Sequence, residues 1–129
     1  MIDRLRLRIA RKESEGGFTL IELLVVIVII GILLAIAIPS YLGFRTRASQ
    51  AAAKANVRSA LPAVEAYFSD NDTYVGLSLA SLQAIDAGVD PSLAVGTVSA
   101  TAYCIEDTVS GETASVSGPG GTIGLSSCP

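Results

Sequence analysis

The strongest pattern in the chain is one continuous apolar run near its N-terminus. Positions 18 to 38 are apolar throughout, except for Thr19, Glu22 and Gly31. A helix of about 21 residues is ~32 Å long, which matches the ~30 Å hydrocarbon core of a membrane. Because the run has no polar face, such a helix must be surrounded by lipid or by other helices. We therefore predict a membrane-length helix over residues 18–39.

A removable secretory signal is the alternative interpretation of this run. Ala35-Ile36-Ala37 matches the small-residue pattern at which such signals are cleaved. The apolar stretch before that site is longer than the ~7–15 residues of an ordinary signal, and it carries a carboxylate near its start. A retained helix is therefore favoured over cleavage after Ala37.

The remaining residues, 40–129, begin with a helical pattern. Apolar side chains recur at helical spacing and predict an amphipathic helix over residues 40–70, with a core stripe of Val57, Leu61, Val64 and Phe68. Asp70-Asn71-Asp72 is a turn cluster that should end this helix. Residues 71–92 are a connector, in which Ser78 is a candidate N-cap for a short helix that ends near Ile85.

From residue 93 onward the pattern changes to Val and Thr segments separated by Gly, which is typical of strands. The predicted strands are Val95–Ser99, Tyr103–Val109, Thr113–Ser117 and Thr122–Leu125, and Ser110-Gly111 is the expected hairpin turn. The order of elements predicts an α+β fold. In it, a long N-terminal helix packs on a small C-terminal antiparallel sheet over residues 93–129.

Composition excludes most enzyme classes. The chain has no His, which removes Ser-His-Asp and Cys-His catalysis and the usual zinc ligand. Its two Cys residues are far apart, and it has no Gly-rich phosphate loop. The formal net charge is −3, so the chain lacks the overall basic character of nucleic-acid-binding proteins. We therefore predict a non-enzymatic protein without a cofactor or a metal site.

The most specific motif lies where the charged N-terminal segment meets the apolar run. Gly17 is followed by Phe18-Thr19-Leu20-Ile21-Glu22, which opens the hydrophobic helix. This junction closely resembles the type IV pilin superfamily, the pilins and secretion pseudopilins that carry a class III (prepilin-like) signal. The resemblance is strong from Gly17 to about Arg47. Two departures, a longer leader and Gly16 in place of the usual basic residue, leave the subfamily open.

The resemblance implies how the N-terminus is processed. Residues 1–17 would be a leader that an aspartyl prepilin peptidase removes by cutting between Gly17 and Phe18. Phe18 would then be the new N-terminus, typically N-methylated. Gly31 and Pro39 fall where family members weaken the helix, which implies that the helix can open or bend there. Ordinary tolerance of Gly and Pro in membrane helices explains these two residues equally well.

Glu22 has two candidate roles. The resemblance implies that its carboxylate pairs with the free amine of Phe18 on a neighbouring subunit and so sets the register of a growing filament. Alternatively, Thr19-x-x-Glu22 is a capping box, in which Glu22 satisfies backbone donors of its own helix. The two roles are compatible.

The other candidate residues lie in the C-terminal domain. In an exported domain, Cys104 and Cys128 imply a disulfide, and pilins commonly have one that bounds a C-terminal loop; two reduced thiols are the alternative. Arg47, Lys54 and Arg58 share one helix face. A solvated face is favoured there over contact with DNA, which the sequence leaves open, and contact with acidic patches on a neighbouring subunit is a further candidate role.

The function that the resemblance implies is that of a structural subunit of a type IV pilus-like surface filament. It would be a single-pass membrane protein before assembly and would then join an extracellular helical homo-oligomer. Implied partners are the prepilin peptidase, an inner-membrane platform protein and an assembly ATPase. The alternatives are a pseudopilin of a type II secretion or DNA-uptake machine, and a membrane-anchored binding module, which has no use for Glu22 or the Gly17-Phe18 junction.

Overall fold

A computed structural model of the protein describes residues 16–129. Its longest element is helix α1, Leu20–Asn71, which has 52 residues. The helix continues unbroken through Gly31 and Pro39, so the two helical segments predicted from the sequence are a single element. It ends at the predicted turn cluster, where Asp72 takes a φ of 54°, a left-handed conformation that is common just after a helix.

The chain divides into two compact units, one ending at Tyr41 and the other formed by Leu42–Pro129. Every described residue of the first unit is exposed. In the second unit, α1 buries one stripe of small side chains at spacings of four, three and four residues: Ala53, Val57, Ala60 and Val64, each 0% exposed. The predicted core stripe is therefore confirmed at Val57 and Val64. Leu61 and Phe68 are half-buried and pack against the same hydrophobic cluster.

The short connector helix, α2, is confirmed. It covers Leu79–Ile85, and Ser78 is its N-cap. The Ser81 N–H donates to the Ser78 hydroxyl at 3.2 Å, and the Ser78 N–H donates to the Ser81 hydroxyl at 2.9 Å. Ser81 thus has the role that Glu or Gln has in the usual capping box. The helix buries Leu82 in the hydrophobic cluster.

The sheet has three antiparallel strands in the order β1-β2-β3. Strand β1 is Ala94–Val98, β2 is Tyr103–Val109 and β3 is Glu112–Gly118. The hairpin turn between β2 and β3 is the predicted Ser110-Gly111 pair, with φ of 50° and 86°. Two consecutive positive φ values characterise the type I′ turn, whose twist matches that of a two-stranded hairpin.

The prediction of a fourth strand at Thr122–Leu125 is wrong. In this segment only Gly124 pairs with the sheet, through two backbone hydrogen bonds to Ser115 of 3.0 and 2.9 Å. The pairing is short because the chain must leave the edge of β3 to bring Cys128 back to Cys104 on β2. A single bridge therefore replaces the expected strand.

An aromatic cluster joins the end of α1 to the sheet. The ring of Tyr74 lies 4.6 Å from that of Phe68 and 4.8 Å from that of Tyr103, measured between centroids. Tyr103 is opposite Gly118 in the β2–β3 register, and a Cβ atom on Gly118 would lie 2.3 Å from the Tyr103 ring. Burial, together with the nearby negative charge of Glu65, raises the pKa of Tyr103 to about 12. Tyr103 is therefore a neutral packing residue at physiological pH.

A buried polar group ties α1 and the connector to β2. Asp107 is 1% exposed, and it accepts a hydrogen bond of 2.9 Å from the Asn56 side-chain amide. The Ser92 hydroxyl lies within hydrogen-bond distance of both Asp107 and Asp90. Hydrogen bonds from the Ser92 hydroxyl and backbone N–H lower the pKa of the Asp90 carboxyl. Because a buried carboxylate is costly without partners, this group favours one arrangement of the three segments.

Candidate functional site: the N-terminal junction of α1

The junction itself is accessible. Gly16, Gly17 and Phe18 precede the helix, and Phe18 is 94% exposed. Among residues 16–129, no atom lies within 4 Å of a Cβ atom built at Gly16 or Gly17, and neither residue has a positive φ. The described part of the fold therefore does not require glycine at either position. A requirement for Gly17 would have to come from a partner that closely approaches its backbone.

The capping box is confirmed. The Glu22 carboxylate accepts hydrogen bonds from the Thr19 N–H at 2.8 Å and from the Thr19 hydroxyl at 2.9 Å, both at Oε2. In return, the Glu22 N–H donates to the Thr19 hydroxyl oxygen at 3.3 Å. Among the described residues nothing donates to the other carboxylate oxygen, Oε1. Glu22 can therefore cap its own helix and still accept a hydrogen bond from a second molecule.

The first half of α1 has an apolar surface on all sides. From Leu20 to Ile38 its large apolar side chains are between 48% and 82% exposed. α1 is the one helix among the described residues that is long and apolar enough to cross a membrane, and none of its most apolar 18-residue window is buried. So large an apolar surface is costly in water, and it requires either lipid or apolar surfaces of other molecules.

Gly31 and Pro39 both lie inside this exposed helical half. A Cβ atom at Gly31 would contact no other described residue within 4 Å, so residues 16–129 leave room for a methyl group there. Pro39 has no N–H to donate to the carbonyl of Ala35, one turn earlier. Each residue weakens the helix locally, and their role as points of flexibility stays a prediction.

The predicted disulfide is present. Cys104 and Cys128 are bonded at an S–S distance of 2.03 Å, with their Cα atoms 5.8 Å apart. The bond holds the C-terminal segment over β1, where a Cβ atom on Gly96 would lie 2.8 Å from the Cys128 Cβ. The Thr97 hydroxyl also donates to the Pro129 carbonyl at 3.0 Å. The C-terminal segment is therefore attached to the sheet by the disulfide and also by a hydrogen bond at Pro129.

Several residues that position these features were not predicted from the sequence. Glu106 accepts a hydrogen bond from the Cys128 N–H, and Gln50 on α1 donates to Glu112 on β3 at 2.9 Å. Asn56, Ser92 and Asp107 form the buried polar group described above. The alternation along Tyr103–Val109 assigns Asp107 to the inner face with Tyr103 and Ile105, and that pattern was the one available signal.

Comparison with known proteins agrees with the resemblance at the N-terminal junction. Residues 14–38 match the family described as the prokaryotic N-terminal methylation motif. The chain is 37% identical over 95 residues to the type IV wide pilus major component PilA4 of Thermus thermophilus, an alignment that covers 72% of each chain. It is 50% identical over 69 residues to the type IV major pilin protein PilA of Myxococcus xanthus, covering 53% of this chain and 31% of that one.

A second kind of relative is a secretion protein. The chain is 38% identical over 64 residues to the type II secretion system core protein G of Aeromonas hydrophila, covering 50% of this chain and 45% of that protein. The chain thus spans less than half of the Myxococcus and Aeromonas relatives and nearly three quarters of the Thermus pilin. From its similarity to the Thermus pilin, the chain belongs to the type IV pilin family.

Proposed function

We propose that the protein is the structural subunit of a type IV pilus-like filament and polymerises through the first half of α1. The observation that carries this proposal is a helix surface that is exposed and apolar on every side from Leu20 to Ile38. Lipid can cover that surface before assembly, and the same surface on neighbouring copies can cover it afterwards. A helix that only anchors a domain in a membrane needs lipid around it and no contact with other copies.

The junction supports processing before assembly. Residues 1–17 are the leader, and a prepilin peptidase cuts the exposed bond between Gly17 and Phe18. Phe18 then carries the N-terminal amine and receives a methyl group. The matching methylation motif supports this step, and so does the finding that the fold of residues 16–129 does not need glycine at position 17. Residues 18–39 then serve as the membrane and filament-core segment, and residues 40–129 as the exported head.

The remaining partners follow from this function. The subunit is a single-pass membrane protein until an inner-membrane platform protein and an assembly ATPase move it into the filament, which is exposed at the cell surface. The exported location agrees with the Cys104–Cys128 disulfide, because disulfides persist in oxidising compartments. No reaction is assigned to the chain.

A pseudopilin of a secretion machine is the second candidate function. The similarity to the type II secretion protein of Aeromonas hydrophila supports it, and the N-terminal junction fits both candidates. The two differ in what a cell loses without the protein. A pilin is needed for long surface filaments, whereas a pseudopilin is needed for the export of other proteins.

Surface filaments are therefore the decisive readout. We expect that cells with this chain as their one pilin gene make long filaments, and that the main protein of the sheared fraction is this chain by mass spectrometry. Deletion should remove the filaments and leave secreted enzyme activity in the medium within twofold. Loss of secretion with no effect on surface filaments would support the pseudopilin instead.

A further inference from the structure

Five charged residues follow one line along the second half of α1. They occur at successive spacings of seven, four, seven and seven residues, which keeps them within about 40° of one another around the helix axis. We call this set the charge stripe: Arg47, Lys54, Arg58, Glu65 and Asp72. Asp72 is one residue past the helix, and its φ of 54° ends the helical path there. Its N–H still donates to the Phe68 carbonyl at 2.7 Å, so its Cα atom lies in line with the last turn of the helix.

The charge stripe lies at the surface of the part of the subunit that the structure describes. Arg47, Arg58, Glu65 and Asp72 are exposed and Lys54 is half-buried. Among the described residues, none of the five side chains makes a hydrogen bond or an ion pair within 4.0 Å. Asp72 also lies at the negative end of the α1 dipole, and the last turn of the helix has no basic residue to compensate.

The signs along the charge stripe are segregated. The three cationic residues come first and the two anionic residues follow, so the stripe can complement a shifted copy of itself. If a second copy is shifted so that its Lys54 lies opposite Arg47 of the first, like charges are opposite each other at two positions. If its Arg58 lies opposite Arg47, like charges are opposite each other at one position. The shift that places Arg47 opposite Glu65 also brings Lys54 opposite Asp72, and it aligns no like pair.

This shift from position 47 to position 65 also preserves the helix face. It equals five full turns at about 3.6 residues per turn, and it corresponds to ~27 Å along the axis. The Cα atoms of both opposite pairs therefore lie at the same angular position around their helices. No other shift along the charge stripe gives two attractive pairs without a repulsive one.

We propose that the charge stripe is an interface between copies of this chain, in which parallel α1 helices are displaced by ~27 Å, or five helical turns, and pair Arg47 with Glu65 and Lys54 with Asp72. The proposal rests on the filament function proposed above. Copies inserted in one membrane by the same apolar segment are parallel, which excludes an antiparallel pairing of the stripe. The charge stripe would then select the axial offset between neighbours, because other offsets lose attraction or bring like charges together.

Charge reversal at one pair tests the interface. In cells expressing the full chain, Arg47→Glu and Glu65→Arg alone should each reduce the yield of sheared filaments at least tenfold. The double variant should restore the yield to within threefold of wild type, because it exchanges the two signs. The matched controls are Arg45→Glu and Asp70→Arg, which change the same charges two and five residues away at exposed positions off the stripe, and they should stay within threefold of wild type.

Cysteine cross-linking tests the offset itself. In isolated filaments, Arg47→Cys combined with Glu65→Cys should give a ladder of disulfide-linked multimers on non-reducing gels, and Arg45→Cys with Glu65→Cys should not. Leader cleavage, membrane content and formation of the Cys104–Cys128 bond report whether each variant folds.

The outcomes separate the two proposals. Wild-type filament yield from both single reversals, or no ladder from the 47/65 cysteine pair, would overturn the charge stripe and leave the filament function standing. Filament loss that the double reversal does not restore would also overturn it. An absence of filaments from the wild-type chain would overturn the filament function, and the charge stripe with it.

Discussion

Replacing Glu22 with Ala should abolish filament extension and leave a subunit that is folded, cleaved and inserted in the membrane. In the membrane, the substitution removes a carboxylate from an apolar segment, which is neutral or favourable for insertion. Loss of the hydrogen bonds to Thr19 costs about 1 kcal/mol of helix stability. This cost is small in the membrane, because a helix in lipid keeps its backbone hydrogen bonds in any case.

The larger penalty falls on assembly. When a copy joins the filament, its Phe18 amine would be buried beside a neighbour that has no carboxylate, and an unpaired buried charge costs several kcal/mol. Each ~1.4 kcal/mol lowers the equilibrium constant for adding a subunit tenfold, and the penalty recurs at every addition. We therefore expect almost no sheared filaments from Glu22→Ala, with normal leader cleavage and membrane content.

Two control variants separate the capping role of Glu22 from its charge. Thr19→Ala removes the hydroxyl from the capping box and keeps the carboxylate, so it should still form filaments. Glu22→Gln keeps an oxygen that can accept the hydrogen bonds from Thr19 but loses the charge, so it should fail as Glu22→Ala does. Normal filament yield from Glu22→Gln, together with failure of Thr19→Ala, would assign Glu22 to helix capping alone.

Replacing both Cys104 and Cys128 with Ser should lower the free energy of unfolding by about 3 kcal/mol. The bond joins residues 24 positions apart, so without it the unfolded chain gains the conformational entropy of that loop. In the folded state, the segment over Gly96 loses its covalent attachment and keeps a few hydrogen bonds, such as that from Thr97 to the Pro129 carbonyl.

Urea unfolding of the full chain in detergent, followed by tyrosine fluorescence, measures this effect. Wild-type protein with a reducing agent should unfold at the same urea concentration as the double Ser variant, which is the matched control. Membrane insertion should not change, because the bond lies outside the apolar segment. A variant as stable as the oxidised wild type would contradict a structural role for the bond.

Local sequence signals predicted those parts of the fold that depend on neighbouring residues. The end of α1, the Ser78 cap and the Ser110-Gly111 turn each follow from a few adjacent residues, and all are confirmed. The apolar run likewise predicted the first half of α1, because it too is a local feature of the sequence. The family resemblance identified the candidate site at the N-terminal junction. Composition and periodicity alone would have indicated only a membrane anchor with a capping box.

Features that depend on distant residues were not predictable in this way. The segment at Thr122–Leu125 has a strand-like composition, but the disulfide takes the chain away from the sheet after Gly124. Asp107 is polar, and its burial depends on Asn56 and Ser92, which are 51 and 15 positions away in the chain. The sign pattern of the charge stripe is visible in the sequence. The structure adds that its side chains have no hydrogen-bond or ion-pair partner among residues 16–129.

The most direct test of the proposed filament function is the intact mass of the protein in sheared surface filaments. We predict a mature chain that begins at Phe18 and carries one added methyl group and one disulfide. Such a chain keeps the entire apolar half of α1 that the proposed filament core requires. A mature chain that begins at Ile38, after Ala35-Ile36-Ala37, would have lost that half of the helix and would contradict the proposed filament function.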